Sequence, residues 1–221
     1  KDDTIRTIII RGAGDRAFSS GYDIGAIPTK ITPEIQGRLK AQNPLELALE
    51  SVANYPYPVI AMLNGYAFGA GCELAVSCDI RIGADDIRMG MPPAKLGVVY
   101  FPAGLRRFIQ VIGLSGTKEL FFTGRYYDTS RIKEMGLVDY LIPKSELESF
   151  TYALAEEIAS NAPLSLRGTK RIINLLISSE KMNEDGQKEA EEIIARAFNS
   201  EDLKEGQMAF LQKRKPVFKG R

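Results

Sequence analysis

Histidine is absent from this chain of 221 residues, which removes Ser-His and Cys-His nucleophilic catalysis and histidine-ligated metal sites from its chemistry. Cysteine occurs only twice, at Cys72 and Cys78. That spacing fits neither a metal site nor a redox dithiol, so no disulfide framework is expected and a reducing compartment is. Net charge is also nearly lacking. The 29 basic residues stand against 28 acidic ones for a formal charge of +1, too little to gather nucleic acid or anionic lipid. No apolar run approaches the length of a membrane span, and no signal-peptide pattern is found. A cytoplasmic protein with no nucleic-acid and no membrane partner is expected. With 44% hydrophobic residues, the length suffices for one sizeable core, or a core plus a small appendage.

The stretch from Val59 to Asp79 organises the rest. Val59 to Leu63 is an apolar run that predicts a buried strand, and from Leu74 small and apolar residues predict a tightly packed helix. Between them Gly69, Ala70 and Gly71 make a corner with almost no side-chain bulk. The first helical N–H groups there lack intrahelical acceptors, so a ligand oxygen can come close, and the helix dipole adds positive character. Glu73 places a carboxylate in the first helical turn, one turn from donors able to hold a polarised carbonyl. Close packing and dipole complementation would use the same residues, so the corner alone does not decide between an active site and a packing device.

In chain order, Thr4 to Arg11 alternates and then turns fully apolar, which predicts a buried strand. With a strand so early and no initiating methionine, an N-terminal segment is expected to be missing from this sequence. Gly12, Gly14 and Ala17 formally match a dinucleotide fingerprint. A helix should follow such a fingerprint, but Phe18 to Ile24 continues as a second small-residue corner, so nucleotide binding is not expected. Gly21 permits an unusual backbone angle that would free the Tyr22 N–H to point into a cavity. Residues 25–43 predict a polar excursion over a site. Residues 44–53 predict a helix that ends before Tyr55 to Pro58, where proline forbids continuation.

Residues 79–83 and 88–91 predict strands, and Pro92-Pro93 a break. Tyr100 sits in a loop expected over 95–104, where an anchored aromatic is the ordinary role. Short helices are expected over 105–112, over 115–122 with Ser115 as cap and Gly124 as stop, and over 130–135 closed by Gly136. A strand over 137–142 follows, and then helices over 145–161, 164–178, 183–198 and 201–213. The fold class is therefore α/β with parallel pairing, as a body over 1–143 and a helical region over 144–221.

Four blocks carry a resemblance: Ala17 to Ile24; Asn64 to Ala75; Phe122 to Arg125 followed by Gly136 to Val138; and Glu205 to Phe218. In that order and separation they resemble the crotonase superfamily, the enoyl-CoA hydratase/isomerase group. The resemblance implies a spiral of ββα units with a C-terminal helical region, and a homotrimer or homohexamer. It implies a thioester carbonyl held by the backbone N–H groups of Tyr22 and Ala70, which stabilise an enolate at about 3 kcal/mol per donor. Ala70 replaces the family's more usual glycine and still donates. Coenzyme A contacts are implied for Ser20, Tyr22, Asp23 and Ile24, and for Phe210 and Lys213 in the same or a neighbouring subunit. Outside the family, Lys213 would read as a solvated helix end. Coenzyme A enters as part of the substrate, with no permanently bound cofactor and no metal.

One departure stands out. Hydratases of the family use two glutamates, one matching Glu73 and one where this chain has Met91, Pro92 and Pro93. Hydration needs one group to activate water and another to deliver a proton. Decarboxylation of a malonyl-type thioester needs only the oxyanion hole and a proton source. The run from Leu96 to Tyr100 resembles the matching loop of methylmalonyl-CoA decarboxylases, where Tyr100 would orient the leaving carboxylate. A lyase of the hydratase group with a non-standard site is thus expected, with decarboxylase, isomerase, acyl-CoA hydrolase and a noncatalytic CoA-ester or RNA-binding relative left as alternatives.

Overall fold

The first six strands alternate between two sheets, and the next two then add one strand to each. The computed structural model describes residues 4–27, 43–178 and 184–219. Its described elements begin with β1 (Ile8–Arg11), β2 (Ala17–Ser19) and a 3-10 turn (Ile24–Ala26), followed by α1 (Pro44–Ala53), β3 (Val59–Leu63), β4 (Tyr66–Phe68) and α2 (Ala70–Ser77). Next come β5 (Ile80–Ala84), β6 (Met89–Gly90), α3 (Pro93–Leu96), α4 (Pro102–Thr123), β7 (Tyr126–Tyr127), α5 (Thr129–Met135) and β8 (Tyr140–Ile142). After a 3-10 turn (Lys144–Glu146) the chain is helical: α6 (Leu147–Ser160), α7 (Pro163–Ser178), α8 (Glu184–Phe198) and α9 (Glu201–Leu211).

One sheet has the order β1-β3-β5-β8 and the other β2-β4-β6-β7. All neighbours in the first are parallel, and in the second only β6 and β7 run antiparallel. Each ββ step therefore gives one strand to each sheet before a helix returns the chain. The central β3 is buried at all five residues, as a parallel strand covered on both faces must be. Asn64, at its end, accepts from the Gly12 N–H at 2.9 Å and donates to the Gly12 and Gly14 carbonyls at 3.2 and 2.6 Å. These bonds hold a tight connection, and strand β2 follows where nucleotide binding would need a helix. The glycines of the apparent dinucleotide fingerprint serve this turn: a Cβ at Gly12 would stand 1.9 Å from the Ala17 carbonyl oxygen, and Gly14 has φ +68°.

The structure corrects several boundaries. The first strand starts at Ile8, and the central helix starts at Ala70, one turn before Leu74. The glycine corner is preceded by β4, whose three residues are extended because they pair with β2 and β6. A short helix, α3, begins on the second proline of the pair, with Pro92 as its N-cap residue. The two helices expected over 105–112 and 115–122 are both present within α4, which breaks between them at Gly113 (φ 69°, ψ 175°), but the second one begins at that break, so Ser115 is not its cap. The excursion expected over 25–43 falls mostly outside the described residues.

A large core joins both sheets to α2, α4 and α6. A second cluster, Ile194, Phe198 and Leu203, packs against Ile27, Val98, Val99 and Phe101. It folds the C-terminal helices back beside the two corners. Gly206 makes this approach possible, since a Cβ there would stand 2.5 Å from the Leu96 carbonyl oxygen. Among the described residues no helix is long and apolar enough to cross a membrane, and no group of metal-ligating side chains occurs.

Candidate active site

The two small-residue corners meet. Gly21 has φ +94°, and a Cβ there would lie 2.5 Å from the Phe68 carbonyl oxygen and 3.2 Å from the Ala70 nitrogen. The backbone after β2 thus lies against the start of α2, and only glycine permits both the angle and the approach. At the other corner Gly69 (φ 53°, ψ −124°) precedes the helix, accepts from the Glu73 N–H at 3.0 Å and donates to Gly90 at 3.0 Å. No acceptor among the described residues takes the Tyr22 or the Ala70 N–H. Both residues line a cavity of about 530 Å³.

Glu73 is 2% exposed, and both of its carboxylate oxygens are occupied. The Tyr100 hydroxyl donates to Oε2, and Arg107 donates to Oε1 at 2.8 Å. The same guanidinium forks onto Glu46, with one bond at 3.1 Å and a second, shorter one. Gly104, in the first turn of α4, makes room for this cluster. A Cβ there would stand 2.5 Å from the Tyr100 ring and 2.7 Å from Glu73 Oε1.

Burial pushes the Glu73 carboxyl above the usual range, against the opposing pull of Tyr100 and Arg107. Burial, then the Glu73 charge, raises Tyr100 well above an ordinary phenol, so its hydroxyl stays a donor. Burial works against the Arg107 charge, but Glu46 and Glu73 outweigh it and hold the guanidinium protonated. Cys72, next to Glu73, is pushed up to about 12 by burial and is an inert thiol.

A pH dependence follows. A carboxyl raised on folding favours the fold below its unfolded pKa, and that contribution is lost as pH rises through the folded value. Urea unfolding of wild type and Glu73→Gln from about pH 4 to neutrality is expected to show wild type losing ground to the variant as pH rises. Parallel profiles would contradict this.

Of the residues singled out in the sequence, Ser20, Tyr22, Ile24, Ala70, Glu73, Tyr100 and Phe210 line the cavity. Asp23 and Lys213 do not. The Asp23 carboxylate caps the 3-10 turn by accepting from the Gly25 N–H at 2.9 Å. Lys213 terminates α9 with φ 53°, and the cation that reaches the cavity from that end is Arg214, paired with Glu205 at 2.6 Å. Met91, Pro92 and Pro93 form an apolar wall where the second glutamate was sought. The cavity also draws Phe198 and Gly206 from beyond residue 143. Sequence reasoning missed Glu46 and Arg107. Their only signals were an acidic residue in a first helical turn and a basic pair, Arg106-Arg107, at an apolar helix start.

The family model described as enoyl-CoA hydratase/isomerase matches residues 1–221. The chain belongs to the enoyl-CoA hydratase/isomerase family. Within that family it is 33% identical over 219 residues to a methylmalonyl-CoA decarboxylase of Escherichia coli K12, covering 98% of this chain and 82% of the relative. It is 36% identical over 222 residues to a probable enoyl-CoA hydratase of Bacillus subtilis 168, covering 99% and 83%. A solved methylmalonyl-CoA decarboxylase in complex with 2-nitronate-propionyl-CoA superposes with a TM-score of 0.90 at 32% identity, covering 98% of this chain and 82% of the other. An enoyl-CoA hydratase/carnithine racemase of Magnetospirillum magneticum gives 0.75 at 32%, covering 100% and 80%. The two interleaved sheets and returning helices are thus the crotonase fold of the enoyl-CoA hydratase/isomerase family.

Proposed function

We propose that this family member is an enzyme acting on an acyl-CoA thioester, and that it decarboxylates a malonyl-type thioester through an enolate. The carrying observation is the cavity's chemistry: it is lined by Tyr22 and Ala70, whose backbone N–H groups have no acceptor among the described residues, beside one buried carboxyl, and the wall at 91–93 is apolar. In this reading the Tyr22 and Ala70 N–H groups hold the thioester oxygen. The bond to the departing carboxylate breaks, its electron pair moves into the thioester to form the enolate, and carbon dioxide leaves. Glu73, whose pKa burial has raised, then delivers a proton to the α carbon and regains one from solvent. No strong base is needed. Tyr100 serves Glu73 directly, since its one hydrogen is given to that carboxylate. It orients a substrate carboxylate only after releasing that bond. The similarity to methylmalonyl-CoA decarboxylases supports the same choice.

Hydration is the second reading. It is favoured by Glu46, a second carboxylate lining the cavity, and by the relative named a probable enoyl-CoA hydratase. Coenzyme A is read as lying along Ser20, Tyr22 and Ile24 toward Phe210. The trimer or hexamer implied by the resemblance would find an apolar face in Leu164, Ile172 and Leu176 of α7, each more than half exposed.

Mass spectrometry of crotonyl-CoA and methylmalonyl-CoA incubated with the protein decides between the readings. Loss of carbon dioxide from the methylmalonyl thioester is expected, with the crotonyl thioester unchanged. Gain of water on the crotonyl thioester alone would replace decarboxylation by hydration.

A further inference from the structure

We propose that Arg107, anchored by Glu46, is a positioning residue that fixes the orientation and the ionisation of Glu73. The inference rests on the reading that Glu73 exchanges a proton with a thioester α carbon. Arg107 does not line the cavity, whereas Glu46, Glu73 and Tyr100 do. It stands behind the two carboxylates and acts on substrate only through them.

The geometry is that of a clamp. One guanidinium nitrogen bridges Glu73 Oε1 at 2.8 Å and Glu46 Oε2 at 3.1 Å, and a second nitrogen closes the fork on Glu46. A fork onto a carboxylate fixes the guanidinium plane in a way a lysine cannot reproduce. Glu46 is itself held at the start of α1, where Asn43 caps the helix by accepting from the Leu45 N–H at 3.1 Å and Pro44 opens it. α1 packs against α2, and α2 against α4. Three helices thus converge on one carboxylate. With Tyr100 donating to its other oxygen, Glu73 cannot swing, and a swing of about 1 Å would cost about 10²-fold in rate.

The charges have a definite order. The groups facing Glu73 are Arg107 from α4, Glu46 from α1, Tyr100 from the segment between α3 and α4, and Cys72 beside it on α2. The side chains of Arg107, Glu46 and Glu73 are 14%, 27% and 3% exposed, so their interactions are weakly screened. One cation between two carboxylates favours ionised Glu73, while the Glu46 charge opposes it. Removing the Arg107 charge therefore raises the Glu73 pKa. Neutralising Glu46 takes away a repulsion and lowers it, but also loosens the anchor. A merely structural pair would not produce opposite shifts.

The test uses Arg107→Gln, Arg107→Lys and Glu46→Gln in the full chain, with kcat, KM and their pH dependence on the thioester that wild type turns over. A second readout is deuterium uptake at the α carbon of propionyl-CoA. Arg107→Gln is expected to lower kcat by about 10²-fold with little change in KM, and to move the limb belonging to Glu73 to higher pH. Arg107→Lys restores the limb but only part of kcat, because it returns the charge without the fork. Glu46→Gln moves the limb the other way. An unmoved limb in all three variants overturns the proposal, as does a loss confined to KM. If Arg107→Gln does not fold, the limbs of the other two variants decide. A wild type that is active while the variants match it defeats this inference alone. A wild type with neither turnover nor α-deuterium uptake defeats the proposed function, and the clamp's role with it.

Discussion

Glu73→Gln is expected to lower kcat by about 10³-fold while the fold stays intact, within the range general acid–base groups contribute. The size follows from what the substitution spares. The amide is nearly isosteric, its oxygen still accepts from Arg107, and its nitrogen can donate to the Tyr100 oxygen. Packing around the 2% exposed side chain is unchanged. What disappears is the ability to hold and release a proton beside the α carbon, together with a buried negative charge. Activity should fall while stability near neutral pH is equal or higher, the pattern of a strained functional group rather than a structural one. Circular dichroism and urea unfolding of the purified variant, alongside turnover, check both halves. Turnover within about tenfold of wild type, a difference of about 1.4 kcal/mol in the barrier, would remove Glu73 from the chemistry.

Gly21→Ala is expected to lose activity and stability together. At φ +94° an L-residue is strained by about 1–2 kcal/mol. Its Cβ would also stand 2.5 Å from the Phe68 carbonyl oxygen, so the corners carrying Tyr22 and Ala70 must move apart. Two donors aimed at one oxygen work only at fixed separation, and the loss of one is worth about 10²–10³ in kcat. Gly14→Ala separates the causes. Gly14 also has positive φ, +68°, but a Cβ there meets nothing within 4 Å. It should lower the melting temperature through backbone strain while turnover at a temperature where both variants are folded stays at the wild-type level. If both variants lose activity alike, strain spread through the fold explains the loss and the corner geometry does not.

Legibility followed the range of the forces involved. The bounds of α1 and β3 could be read directly, because a capped, proline-opened helix and a fully buried strand are written in consecutive residues. The positive φ at Gly21, Gly124 and Gly136 was readable for the same reason. β4 was not. Tyr66 to Phe68 become a strand only by pairing with segments far away in sequence. The Arg107 clamp was hidden in the same way, since Glu46 and Arg107 look like ordinary solvated helix residues until α1 and α4 are set around Glu73. Tyr100 was found by resemblance, but the partner of its hydroxyl came only from the structure. The absent second glutamate was plain in the sequence at Met91 to Pro93. That Glu46 supplies another carboxylate to the cavity was not.

The central claim is that a thioester oxygen sits between the backbone N–H groups of Tyr22 and Ala70. A crystal structure of the protein with 2-nitronate-propionyl-CoA, an enolate-like thioester, tests it most directly. The account predicts the thioester oxygen within about 3 Å of both nitrogens, with the nitronate beside Glu73 and Tyr100. A bound ligand whose thioester oxygen contacts neither nitrogen would contradict it.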